Sequence, residues 1–174
     1  MQNKNTLNRL WPVLVGEFYN PDHESIKNDL LNYFDEYAKK NPVSRKSGEN
    51  YKLYESKYDL HLEGNKDFIQ LIKFMSDSFL TMSNVANKEE IKKLKNSNFQ
   101  VTILDSWFIN YQKGGNVLAH AHGNCSWCCV YYVQLGKDAS PTNGATYFQR
   151  PIPLRTQNDF GSLYNKSLIL SVTP

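Results

Sequence analysis

Apolar residues recur at helical spacing twice in the first half of the chain. In the stretch 20–41, Ile26, Leu30, Tyr33 and Tyr37 fall on one side, and Leu31 and Phe34 widen the stripe. Asn20 can cap the first turn, and Pro21 suits the first helical position because it has no N–H to leave unpaired. A second stripe of Phe68, Ile72, Met75, Phe79 and Met82 predicts a helix over 66–87. A stripe of this kind reads as core packing rather than as a ligand box. The charged stretch "KEEIKKLKN" predicts a short, solvated helix. Residues 42–65 mix turn formers with short alternating runs, which predicts loop with one or two weak strands.

At Phe99 the period changes to two. Phe99, Val101, Ile103, Trp107, Ile109 and Tyr111 share one parity, with Asp105 as its polar member. That pattern predicts one long strand, or two with a break near Asp105. "KGGN" ends it. "VLAHAH", "WCCVYYVQL", "TYFQRP" and "SLILSVTP" read as further strands, with "GKDASPTNGA" as a turn. Short strands with Gly, Pro and Asn turns between them point to a sandwich or jelly roll. The expected organisation is one α+β domain over 1–174. Residues 1–98 form a mainly helical support, and residues 99–174 form the β core.

Composition narrows the function classes. A chain of 174 residues is long enough to bury a core. A net charge of +3, with lysines spread along the chain, gives no case for nucleic acid. No apolar run reaches about 18 residues, so no membrane span is expected. The early patch "LWPVLV" is too short for the apolar part of a signal peptide, and no small-residue cleavage site follows it. The expected location is cytoplasmic. The three cysteines are clustered and odd in number, unlike a disulfide framework.

That cluster lies in "LAHAHGNCSWCCVYYVQ", which also holds two of the four histidines. His120 and His122 are two apart on an expected strand, so both imidazoles share a face and can form the edge of a metal site. The bland alternative is a pair of partly exposed histidines near a turn. Cys125 and Cys128 have C-x-x-C spacing, which allows a zinc reading with the histidines. Cys128 and Cys129 must face opposite sides of a strand, so at most one can join. The cysteines are expected to fill the core, where free cysteine is commonly found.

The order of the pieces adds a further signal. "SWFINYQKGGNVLAHAHGNCSWCCVYYVQ" followed by "GATYFQRP" resembles the 2-oxoglutarate/Fe(II)-dependent oxygenases, most closely a compact prolyl-hydroxylase-like branch found in phage and bacterial genomes. That branch runs from a Trp-containing strand through a Gly turn, "H-x-H-P" and "S-G-V-Y-Y-V" to "G-x-L-x-F-x-x-P". The match covers about residues 106–151. Gly123 stands in place of the family's Pro, Thr146 in place of Leu, and Cys128-Cys129 in place of Ser-Gly. No histidine follows His122, whereas the family draws a distal metal histidine and a keto-acid arginine from later strands. The resemblance therefore carries the expectation of a C-terminally incomplete chain, with a decayed, inactive homologue as the alternative.

The resemblance implies a double-stranded β-helix with supporting N-terminal helices. It also implies decarboxylation of 2-oxoglutarate coupled to hydroxylation of a substrate, which is either a protein residue or a small molecule. The implied cofactors are Fe(II) and 2-oxoglutarate, with ascorbate as an accessory reductant. His120 and His122 would be metal ligands, His122 standing where the family has a carboxylate. Tyr111 and Tyr132 would hydrogen-bond the keto acid, or else be core tyrosines with satisfied hydroxyls. Asp105 and Asp138 have no spacing that marks them as ligands. Trp107 and Trp127 read as packing, and Arg150 and Arg155 as surface or loop residues. Two other readings stand beside this one. One is a non-catalytic or zinc-binding jelly-roll module using His120, His122 and one cysteine; the other is a cupin-like enzyme with a different metal.

Overall fold

The computed structural model describes residues 14–45, 51–94, 99–140 and 142–148, and the backbone of 169–170. Both expected long helices form. Helix α1 spans His23–Lys40 and buries Ile26, Leu30 and Tyr37. Its start differs from the expected one. Asn20 Oδ1 accepts from the Asp22 amide at 3.0 Å, so Asn20 shapes the turn before the helix and Asp22 takes the N-cap position. Asparagine often does this, because its side chain mimics a backbone turn. Pro21 lies in that turn.

Helix α2 spans Lys66–Ala86. Asn65 caps it, its side chain accepting from the amides of Asp67 and Phe68 and so satisfying two of the free N–H groups of the first turn. Helix α3, Lys88–Ile91, is short and exposed. Its acidic residues pair with the lysines one turn on, Glu89 with Lys92 and Glu90 with Lys93.

The buried cluster joins Ile26, Leu30 and Tyr37 of α1 to Phe68 and Leu71 of α2, with Leu60 from the 3-10 turn Leu60–Leu62 and Phe108 from the second half. Phe108 binds the halves together. Its ring stacks on Phe34 at 4.4 Å and 20°, meets Tyr37 edge-on at 5.7 Å, and lies 5.5 Å from Tyr54. Ile72 and Met75 of the expected α2 stripe pack against this cluster. Phe79 and Met82 are half-buried further along.

Strand β1, Leu53–Glu55, pairs antiparallel with β2, Ile109–Tyr111, in the register Leu53 to Tyr111, Tyr54 to Asn110 and Glu55 to Ile109. The pairing continues irregularly. The Ser56 amide donates to the Phe108 carbonyl, and the Phe108 amide donates to Ser56 Oγ. Side chains alternate across a strand. Tyr54 and Phe108 therefore face the helices, while Leu53, Glu55, Ile109 and Tyr111 take the other face. After β2 the chain turns through Gly114, at φ +79°, and passes so close to β1 that a Cβ on Gly115 would sit 2.2 Å from the Lys52 carbonyl oxygen. Only glycine allows that approach.

Strand β3, Thr146–Tyr147, pairs antiparallel with β4, Ile169–Leu170, inside the two last expected strands. The remaining strand expectations need correction. Of the stretch 99–111, only Ile109–Tyr111 forms a strand, and Phe99 is exposed. The stretches 117–122 and 127–135 form no ladder among the described residues. Alternation marks which face a residue takes, but a strand also needs a hydrogen-bonded partner, and the described residues offer these stretches none. The described β structure is thus two separate two-stranded ladders. Among the described residues, no helix is long and apolar enough to cross a membrane.

Candidate metal centre

The Gly114–Gly115 turn sends the chain away from β2 into the extended segment that carries the histidines. His120 and His122 lie two residues apart with their Nε2 atoms 3.1 Å from each other. The rings meet at 4.8 Å and 63°. His120 Nδ1 lies 2.9 Å from the Leu118 carbonyl oxygen. A carbonyl can only accept, so the His120 proton sits on Nδ1 and its Nε2 lone pair points toward His122. With nitrogen–metal bonds of about 2.1 Å, two nitrogens at this separation subtend about 95° at a shared ion. Neighbouring ligands of a metal centre take such an angle. With no metal, the same approach is an N–H···N hydrogen bond with His122 as donor. Ligation would require His122 to move its proton to Nδ1. Both histidines are exposed, so water can receive that proton's hydrogen bond.

Two nitrogens form one edge of a metal site. Among the described residues, no third His, Cys, Asp or Glu joins them. Asp138 sits in a turn where its carbonyl accepts from Asn143 Nδ2, and Asp105 lines a separate cleft. Arg150 and Arg155 lie outside the described residues.

Aromatic contacts continue from the pair. The His122 ring lies 5.8 Å from Trp107, and Trp107 lies 4.7 Å from Tyr58. The Arg45 guanidinium sits 3.9 Å above the Tyr58 ring. Trp107 thus packs as expected, between Tyr58 and His122. Trp127 is half-buried.

Tyr111 and Tyr132 lie within electrostatic reach of one another. Desolvation raises the Tyr111 hydroxyl above the ordinary phenol range, and the neighbouring Tyr132 and Glu55 add to the shift. Tyr111 is therefore a hydrogen-bond donor at neutral pH. Tyr132 shares a hydrogen bond with the Thr146 hydroxyl on β3. Neither tyrosine has a hydrogen bond or ring contact to His120 or His122 among the described residues. The adjacent Tyr131 serves as an anchor. His23 Nδ1 lies 2.7 Å from its hydroxyl, Asn20 Nδ2 donates to it at 3.2 Å, and Phe74 meets its ring at 6.2 Å. Tyr131 and Val133 pack against the helical core, whereas Tyr132 bonds to Thr146 instead.

The cysteines are not core residues: Cys125, Cys128 and Cys129 are all exposed. Cysteine's average preference for burial misleads here, because the described residues place no covering layer over this segment. The protein mass beside Cys129 still pushes its thiol up to about 11, mainly by desolvation and then through Cys128. Cys128 is raised in the same way, with Cys125 as the second cause.

The expected site residues omitted Glu55 and Arg45. Glu55 is only 2 % exposed and shares a face with Leu53, Ile109 and Tyr111. Its sequence signal was a charged residue in the apolar parity of "KLYES". Arg45 carried no sequence signal, since its stack on Tyr58 joins residues of two loops. No family model, curated protein or solved structure matches this chain.

Proposed function

We propose that the chain is an Fe(II)- and 2-oxoglutarate-dependent hydroxylase of the double-stranded β-helix type, acting in the cytoplasm. The observation that carries this reading is the His120–His122 pair, whose Nε2 atoms stand 3.1 Å apart. The separation suits two neighbouring ligands of one ion, so the pair fits iron as a two-nitrogen edge. His120 and His122 would hold the iron through Nε2, and bound Fe(II) would supply oxygen activation coupled to decarboxylation of 2-oxoglutarate.

The chain's own residues have definable tasks in this reading. The Leu118 carbonyl fixes the His120 ring and its tautomer, which leaves Nε2 as the ligating nitrogen. Trp107 covers one side of His122 and limits water there. Tyr111, kept protonated, donates to a keto-acid carboxylate, and Tyr132, oriented by Thr146, supplies a second hydroxyl. Two neutral imidazoles balance less of the ion's charge than a set with a carboxylate, and two ligands hold an ion less tightly than three. Weak iron binding follows.

The test is succinate release from 2-oxoglutarate with Fe(II) and ascorbate. Slow release is expected in the unsubstituted chain. His120→Ala and His122→Ala should abolish it, and Tyr111→Phe should raise the KM for 2-oxoglutarate about tenfold, the worth of one hydrogen bond to a charged group. Release that survives both histidine substitutions refutes the reading. Zinc binding with no succinate release points instead to a non-catalytic metal module.

A further inference from the structure

Opposite charges share one open cleft of about 320 Å³ beside the aromatic row: Arg45 and Lys57 on one hand, Asp59 and Asp105 on the other. Tyr58, His61 and the exposed Leu62 and Leu104 complete its lining. No ion pair or side-chain hydrogen bond joins these four charges to each other or to another described residue. The backbone holds them in place. Asp59 sits at the start of the 3-10 turn, and a bridge ties Asp59 to Ser106, next to Asp105. Arg45 lies over Tyr58. A guanidinium stacked on a ring is pre-oriented and keeps its N–H edge free to take a carboxylate in two parallel hydrogen bonds.

We propose that this cleft is a subsite for a small zwitterion, a free α-amino acid with an apolar side chain. Its carboxylate pairs with Arg45, supported by Lys57. Its ammonium lies between Asp59 and Asp105, and its side chain rests on Leu62 and Leu104. The two leucines, 75 % and 54 % exposed, lose water when the ligand seats. A simple carboxylate or a simple amine matches only one sign of charge in the cleft and leaves the other unmatched, so the site discriminates against both. From Tyr58 the stack runs through Trp107 to His122. The role of the amino acid as the hydroxylated substrate rests on the iron reading, whereas its binding does not.

The experiment is calorimetric titration of the metal-free chain with leucine, N-acetyl-leucine, leucinamide and 2-oxoglutarate. Leucine should bind at one site. The blocked derivatives should each bind about tenfold or more weakly, the worth of one charge-assisted contact. Arg45→Gln and Asp105→Asn, both exposed positions, should each weaken leucine about tenfold, and Arg45→Lys should fall between. Equal binding of leucine and its blocked derivatives overturns the proposal, as does preferential binding of 2-oxoglutarate, the absence of saturable leucine binding, or an unchanged Arg45→Gln. Succinate release in the same preparations reports on the iron separately, so failure of one does not imply failure of the other.

Discussion

Phe108 is the ring of the second half that is buried in the helical core, and truncating it tests that docking quantitatively. The ring is 9 % exposed, stacks on Phe34 at 4.4 Å and meets Tyr37 and Tyr54. Phe108→Ala removes nearly the whole buried ring and leaves a cavity among residues of α1 and β1. Substitutions of this kind cost about 3–5 kcal/mol. The aromatic geometry adds about 0.5–1.5 kcal/mol beyond area. A domain's total stability is about 5–15 kcal/mol, so the variant should be marginal. Phe108→Leu keeps most of the volume and loses the stack, and should cost about 1–2 kcal/mol. The assay is urea unfolding followed by fluorescence, with stability changes read from midpoints at unchanged slope. Pairing Phe108→Leu with Phe34→Leu should reveal a coupling of about 0.5–1.5 kcal/mol. A loss below about 1 kcal/mol for Phe108→Ala, or additive Leu variants, would show that the second half does not dock through this ring.

Three further outcomes are expected. Tyr33→Phe should be neutral or stabilising by up to about 1 kcal/mol, because the Tyr33 hydroxyl is buried without a partner. Desolvation and then Glu63 push that hydroxyl up to about 12 from 10.0. The folded state therefore holds this proton more tightly than the unfolded chain, so stability falls as pH rises from 10 toward 12, and a pH series of melts should show this alkaline loss diminished in Tyr33→Phe. Asn65→Ala should cost about 1 kcal/mol by removing the cap of α2, measured as a lower urea midpoint. Cys129 should resist alkylation despite its exposure: with its thiol near 11, about one molecule in a thousand is thiolate at pH 8, and mass-mapped labelling should rise steeply from pH 9 to 11.

The helices were readable because each carries a periodic stripe and a matching partner stripe. Ile26, Leu30 and Tyr37 meet Phe68, as the two stripes predict, whereas the equally buried Leu71 lies outside the expected α2 stripe. The β half was readable only in fragments. Even-numbered Phe108 lies outside the alternating set from Phe99 to Tyr111, yet it reaches the helical core. Tyr111 takes the opposite face, half-exposed. Alternation separates the two faces, but it does not say which of them the helices cover. The contacts of His120 with His122 follow from i, i+2 spacing and were legible. The stack of Arg45, Tyr58 and Trp107 brings together residues far apart in the chain, and no local pattern encodes it. The cysteines were misread because a preference averaged over many proteins stood in for a covering layer that this segment lacks.

The central claim is that His120 and His122 bind one ion together, and that 2-oxoglutarate shares it. Anaerobic equilibrium dialysis of Fe(II) with and without 2-oxoglutarate measures this directly. The expected result is one weakly bound iron per chain, tightened by 2-oxoglutarate and with 2-oxoglutarate tightened equally by iron, as linkage requires. Both effects should vanish in His120→Ala and in His122→Ala. Iron binding that is unchanged in the double variant, or indifferent to 2-oxoglutarate, would contradict the claim.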